Sequence, residues 1–188
     1  SGYGVNPSLK FELSDQTTLD ISVEAIDYDR SIDRGIPKGA DGKPATELND
    51  IVFGDPDLNK SEFESLSFRA LLQHSFSDTL KGIFTATYTD YDKLYQNFYA
   101  SSYDETVDAD SVTLDGYVDT TERQNFVLSG NLVAELDNGK IKHTLLFGAE
   151  FIDSSSENDR VNPDFDPGPG TEDTETFTIS GRNNPGGF

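Results

Sequence analysis

Two histidines, a tyrosine-rich stretch and several acid-rich segments are the parts of this chain whose side chains could do chemistry. His74 and His143 each lie near a turn, on what period-two counting makes an apolar face. A metal centre needs convergent ligands, and no His, Asp or Glu is spaced to supply them. Both histidines are expected to be interfacial side chains. Serine, histidine and aspartate all occur, but no G-x-S-x-G elbow presents a nucleophile. The chain has no cysteine, which removes thiol chemistry and any disulfide frame. The acids at Asp164, Asp166 and from Glu172 to Glu175 lack the spacing and the glycine of a calcium-binding loop, so they are expected to be solvated. Nothing here carries out covalent catalysis, and the chain is not expected to be an enzyme.

The tyrosine-rich stretch holds Tyr88, Tyr91, Tyr95, Phe98, Tyr99 and Tyr103. At the end of a long strand such a run can form an aromatic girdle at a membrane–water boundary. The other reading uses the parity of a strand. Tyr91 and Tyr95 fall on the face opposite to Tyr88, where they would line a ligand vestibule.

The elements that must position these residues are hairpins. The segments NFVLSGNLVAEL and IKHTLLFGAEFI flank DNGK, with Asn138 and Gly139 as a two-residue type I′ turn that needs φ > 0 at both central positions. That turn sets Asp137 opposite Lys140, Leu132 opposite Leu145, Gly130 under the ring of Phe147, and Glu135 opposite Lys142. One face is apolar and the other polar or small. A second hairpin joins 8–13 to 18–28 through Asp15, Gln16 and Thr17, with Phe11 opposite Ile21. A third joins 63–76 to 80–95, with Phe76 opposite Leu80, Leu72 opposite Phe84 and Phe68 opposite Tyr88. A further strand covers 175–180. The apolar run from Phe126 to Leu136 matches the ~9–11 residues of a tilted strand crossing a bilayer and exceeds the ~5–6 of a typical soluble strand.

Between the hairpins lie three stretches without period, 29–60, 96–120 and 153–174, expected as long loops at the end opposite to the tight turns. Short turns on one side and long loops on the other are the asymmetry of outer-membrane barrels. The fold class expected is therefore all-β, an antiparallel up-and-down meander of long hairpins that forms part of a transmembrane barrel. A net charge of −21 excludes nucleic acid as a partner. No run of residues is apolar enough for a membrane-spanning helix.

Several stretches resemble the barrel of TonB-dependent siderophore receptors, closest to the ferrichrome and catecholate types. YGVNPSLKFELSDQTTLDISVEAIDYDRSIDRGIP resembles the start of that barrel, with Arg34, Gly35, Ile36 and Pro37 as its most specific piece. FGDPDLN at 53–59, TATYTDYDKLYQNFY at 85–99 and TLLFGAEFIDSSSENDR at 144–160 fit the same family. The resemblance implies an outer-membrane receptor segment for TonB-dependent uptake of ferric siderophores. It also implies that 1–188 is a fragment of a larger barrel with no plug domain visible, and that the final Phe188 lies in a truncated loop.

Such receptors hold their ligand with aromatic and arginine side chains. On that basis Arg30, Arg34 and Arg69, together with Tyr91 and Tyr95, are the candidate ligand residues. The guanidinium fork suits the paired oxygens of catecholate or hydroxamate. No cofactor is implied, the ferric siderophore being cargo. The implied partners are that siderophore, outer-membrane lipid and lipopolysaccharide, with weak divalent bridging to the latter from the acidic loops, and the TonB complex through the plug. The alternatives are a soluble secreted β-domain binding calcium or glycan through acidic loops, and a passive porin-like channel.

Overall fold

The computed structural model describes residues 1–165 and 173–180. The expectations that rest on Asp166 to Gly170, on Glu172 and on Phe188 lie outside the described residues. The chain forms one eight-stranded antiparallel sheet. Its strands are β1 (Gly2–Val5), β2 (Ser8–Ser14), β3 (Thr17–Ser31), β4 (Lys60–Ser77), β5 (Leu80–Tyr103), β6 (Ser111–Asp137), β7 (Lys142–Val161) and β8 (Thr174–Thr178). The order is β1-β3-β4-β5-β6-β7, with β2 also on β3 and β8 also on β6, so the sheet is open among the described residues.

β1 and β2 share one register on β3, with Val5 opposite Ala25 and Leu9 opposite Ile21. They are one edge strand broken at Pro7. Its carbonyl accepts from Val23 N at 3.1 Å, but proline has no N–H to return. The sequence pattern does not announce β1, because glycine and proline mask the alternation there.

The expected division of faces holds. Leu19, Leu72, Phe84, Leu128, Leu132, Leu145 and Phe147 share one face, while Arg69, Lys81, Thr85, Glu135 and Lys142 share the other. The apolar side chains are not covered by protein: Leu145 is 55% exposed and Phe147 75%. A soluble sandwich would bury them under a second sheet. Here the broad apolar face is open among the described residues.

The registers near the turns correct the expectation. In the third hairpin, with Phe68 opposite Tyr88 and Leu72 opposite Phe84, the pairing is as read, and Phe76 is taken up in a bulge. In the other two the register moves by two residues. Phe11 meets Leu19 rather than Ile21, and Asp137 meets Lys142 rather than Lys140. The reason at 138–141 is side-chain competition. Asn138 Oδ1 accepts from the backbone of Lys140 at 3.1 Å and Ile141 at 2.8 Å, and Asp137 Oδ1 accepts from Gly139 N at 2.7 Å. These bonds build a four-residue turn in which only Gly139 has positive φ, so the type I′ turn is not formed. A shift of two keeps parity, which is why the faces survive. Gly130 is covered by Phe84 of β5 and not by Phe147: a Cβ added at Gly130 would lie 3.3 and 3.4 Å from atoms of the Phe84 ring.

The loop expectations are corrected more deeply. Loop 29–60 exists as 32–59, but pairing runs through most of 96–120, from Asn97 opposite Tyr117 to Tyr103 opposite Val112. β7 likewise continues to Val161, opposite Val118, through half of 153–174. Asp115, Asp119, Asp153, Glu157 and Asp159 therefore lie on extended strands, while Asp104, Glu105, Asp108 and Asp110 stay in the connection 104–110. The buried core sits at this end. Ala45, Leu48 and Phe53 of loop 32–59 pack on Tyr103, Val112 and Leu114, with Phe165 and Phe177 at the margin. Asn59 locks that cover in place. Its side-chain amide accepts from Phe98 N at 2.9 Å and donates to Phe98 O at 2.8 Å, extending the ladder past the end of β4.

Candidate functional site

The polar face of the sheet carries two cation–aromatic clusters in the strand extensions beyond the apolar belt. The nearer cluster is a row across three strands. Tyr28 stacks on Phe63 at 5.4 Å, and Phe63 meets Tyr91 at 5.6 Å. Arg30 stands 6.0 Å from the Tyr28 ring and Arg123 5.7 Å from the Tyr91 ring. The Nε of Arg123 is buried with no acceptor among the described residues.

The farther cluster centres on Tyr117. Tyr95 stacks on it at 6.0 Å and Tyr99 meets it edge-on at 6.2 Å. Arg34 reaches in from loop 32–59. It donates to Asn97 Oδ1 and to the Tyr117 hydroxyl, both at 2.9 Å, and its guanidinium lies 4.5 Å over the Tyr99 ring. From the other side Arg160 lies 4.4 Å over the Tyr117 ring and forks onto both carboxylate oxygens of Asp119 at 2.5 Å. Bidentate geometry of this kind is the strong form of the arginine–carboxylate pair.

These contacts set the electrostatics. The hydrogen bonds from Arg160 hold the Asp119 carboxyl below the usual carboxylate range, and the same bonds raise the guanidinium. Burial, and then the bond from its hydroxyl to Asp115 Oδ2 at 2.9 Å, pushes the Tyr99 phenol up, so it stays a neutral donor. The cluster therefore brings together one guanidinium with neutral partners, Arg34, a second paired to Asp119, hydroxyl groups and ring faces. It holds no strong base and no nucleophile.

Four of the five sequence candidates fall in this region. Arg34 and Tyr95 both meet Tyr117, in the farther cluster. Arg30 and Tyr91 belong to the nearer row, Arg30 beside its Tyr28 end and Tyr91 at the Arg123 end, and Arg30 also shares a rung with Ser61 and Tyr95. Arg69 is on the same face but pairs with Thr87, eight residues along β5 from Tyr95. At ~3.3 Å per residue that is about 26 Å away. Sequence reasoning missed Tyr28, Phe63, Asn97, Tyr117, Asp119, Arg123 and Arg160. Counting back by twos from Val127 through Arg123 and Asp119 to Tyr117 would have placed three of them.

His74 and His143 lie on the apolar face, with His74 Nδ1 at 2.8 Å from Thr17 Oγ1. Among the described residues no group of three His, Asp or Glu side chains could hold a metal ion. No helix among them is long and apolar enough to cross a membrane, which has no bearing on strands.

The fold and this face together define the chain as a curtain of barrel strands: an antiparallel meander, apolar on one side, with its polar chemistry on the other. The comparison with solved structures makes this specific. The chain matches the crystal structure of the siderophore receptor PiuA from Acinetobacter baumannii with a TM-score of 0.78 and 21% identity. The match covers 96% of this chain and 28% of that receptor, so the chain spans a little over a quarter of its length and shares its fold there. No family model matches the sequence, and no curated protein does.

Proposed function

We propose that this chain is a wall segment of an outer-membrane receptor that binds ferric siderophores at the cell surface and imports them with energy from the TonB complex. The observation that carries the reading is the farther cluster: Arg34 and Arg160 against Tyr117, with Tyr95 and Tyr99 around it, on the polar face beyond the apolar belt. Guanidinium groups meet the anionic oxygens of a ferric chelate, and ring faces meet its flat ligands. The resemblance to siderophore receptors and the shared fold with one of them support the same assignment. In this reading the polar face lines the lumen, the apolar belt meets lipid, and the acidic strand extensions stand among lipopolysaccharide. The plug that contacts TonB belongs to another part of the protein.

The test is ligand binding by the whole detergent-solubilised receptor, with ferric tris-catecholate and a ferric trihydroxamate as probes. Arg34→Ala and Tyr95→Ala should each raise Kd roughly tenfold, the loss of about 1.4 kcal/mol. Unchanged affinity for both probes in both variants, at normal expression, would return the cluster to a purely structural role.

A further inference from the structure

Arg34 is where loop 32–59 crosses to the polar face. The rest of the loop is anchored on the other side, by Phe53, Leu48 and Ala45 in the rim core and by Asn59 on the Phe98 backbone. The arm from Ile32 to Gly35 is lightly held. Ile32 N donates to Asn59 O at 2.9 Å, and Asp33 Oδ1 accepts from Gly35 N at 2.8 Å. Gly35 turns with φ +76°, and nothing lies within 4 Å of where its Cβ would be. Ile36 packs at the margin of the rim core and Pro37 is buried, so the exposed residues 33–35 between the Ile32 bond and Ile36 are the part that can move without disturbing the core.

The partners of Arg34 are an amide oxygen, a phenol and a ring face, all neutral. Arg160, which shares the Tyr117 ring with it, has its own carboxylate in Asp119. An anionic acceptor adds charge attraction and can take two guanidinium N–H groups at once, which neither Asn97 nor Tyr117 does. An anion arriving at this cluster competes with Asn97 and Tyr117 for Arg34 on favourable terms, and it need not break an ion pair to do so.

We infer that Arg34 is a transferable latch. In the free protein it ties the 32–35 arm to Asn97 and Tyr117, and on binding an anionic ligand it passes to the ligand, so that occupancy is felt in loop 32–59. The identity of the ligand rests on the proposed function; the latch on the wall does not.

Hydrogen exchange of the segment 31–37 in the whole receptor separates the two. Without ligand, Tyr117→Phe and Asn97→Ala should raise exchange there by up to about tenfold, as Arg34→Ala does, while 45–53 stays protected. Tyr117→Phe keeps the ring and carries the comparison if Asn97→Ala fails to fold. With saturating ferric tris-catecholate, Tyr117→Phe should become indistinguishable from wild type, because Arg34 no longer uses the hydroxyl, while Arg34→Ala stays fast. If no chelate binds, the proposed function fails, and inorganic phosphate at tens of millimolar takes the place of the probe in the same comparison. Two results overturn the inference: no effect of Tyr117→Phe in the free protein, or a difference between Tyr117→Phe and wild type that persists when the anion is bound.

Discussion

At the scale of single residues, two groups hold the rim together and each has a measurable signature. Asn59 bonds the buried N–H and C=O of Phe98 at once. Asn59→Leu removes both bonds, and at about 1–3 kcal/mol for each it should lose ~2–6 kcal/mol in denaturant unfolding. Gly54→Ala should act on the same contact. Its φ is +124°, and an added Cβ would collide with Asn59 Nδ2, so the side chain must be displaced. The Asp119–Arg160 pair has a pH signature. The Asp119 pKa is depressed in the folded protein, so its stabilisation is present above the unfolded value of about 3.9 and is lost as pH falls through the lower folded value. Stacking of Tyr117 and Arg160, followed by tyrosine fluorescence, should be flat from neutral pH to about 5 and change only below about 4. A transition centred near pH 6 would mean that another group controls the cluster.

At the scale of elements, the extended strands carry an unusual row. Asp27, Glu64, Asp92, Glu122 and Glu157 are consecutive cross-strand partners on the apolar face, beyond the last belt residues. Like charges directly opposite one another destabilise a sheet, with pairs contributing about 0.2–1 kcal/mol. Asp92→Asn or Glu122→Gln, in the centre of the row, should therefore stabilise the protein by up to about 1 kcal/mol, and the gain should shrink in 1 M salt, where screening acts within about 3 Å. Destabilisation by either change would show that the row is compensated by a contact outside the sheet. The same row explains what was legible in the sequence. Alternation is plain where one face is apolar, as from Phe126 to Leu136, and there the strands and their faces could be read directly. Above the belt both faces turn polar, acids occupy positions on each, and the period disappears from hydrophobicity although the backbone ladder continues. Tyr117, Asp119 and Arg160 were hidden for that reason. Arg30, Arg34, Tyr91 and Tyr95 were accessible because they border segments whose strand character is clear. The registers at Asp137 and Phe11 were not legible, because side-chain bonds in a turn decide between alternatives that keep the same parity.

At the scale of the whole molecule, the sheet has two open edges and a broad uncovered face. β7 is exposed along its full length, and on the other side Pro7 interrupts the β1–β2 edge. Leu9, Leu128, Leu145, Phe147 and Phe151 are 48–75% exposed, far more contiguous apolar surface than a monomeric soluble protein tolerates. The small core under loop 32–59 cannot compensate, because it touches only the strand ends. In a bilayer the face would be satisfied by lipid, but open edges would not, since hydrocarbon offers no partner to their N–H and C=O groups. The 188-residue chain by itself is therefore expected to associate in water through face and edge together, to bind a dye for exposed apolar surface, and to become smaller in particle size when detergent is added. The charge of −21 opposes association, so lowering ionic strength should slow it without preventing it. A substitution separates face from edge. Leu128→Arg, in the middle of the belt, should reduce dye binding and self-association in water, yet cost about 2–4 kcal/mol of folding stability in the whole protein in bilayers. Ser129→Arg, its neighbour on the polar face, should do neither. If the isolated chain is monomeric in water, unfolds cooperatively and binds no dye, its apolar face is not turned to lipid and the membrane assignment fails.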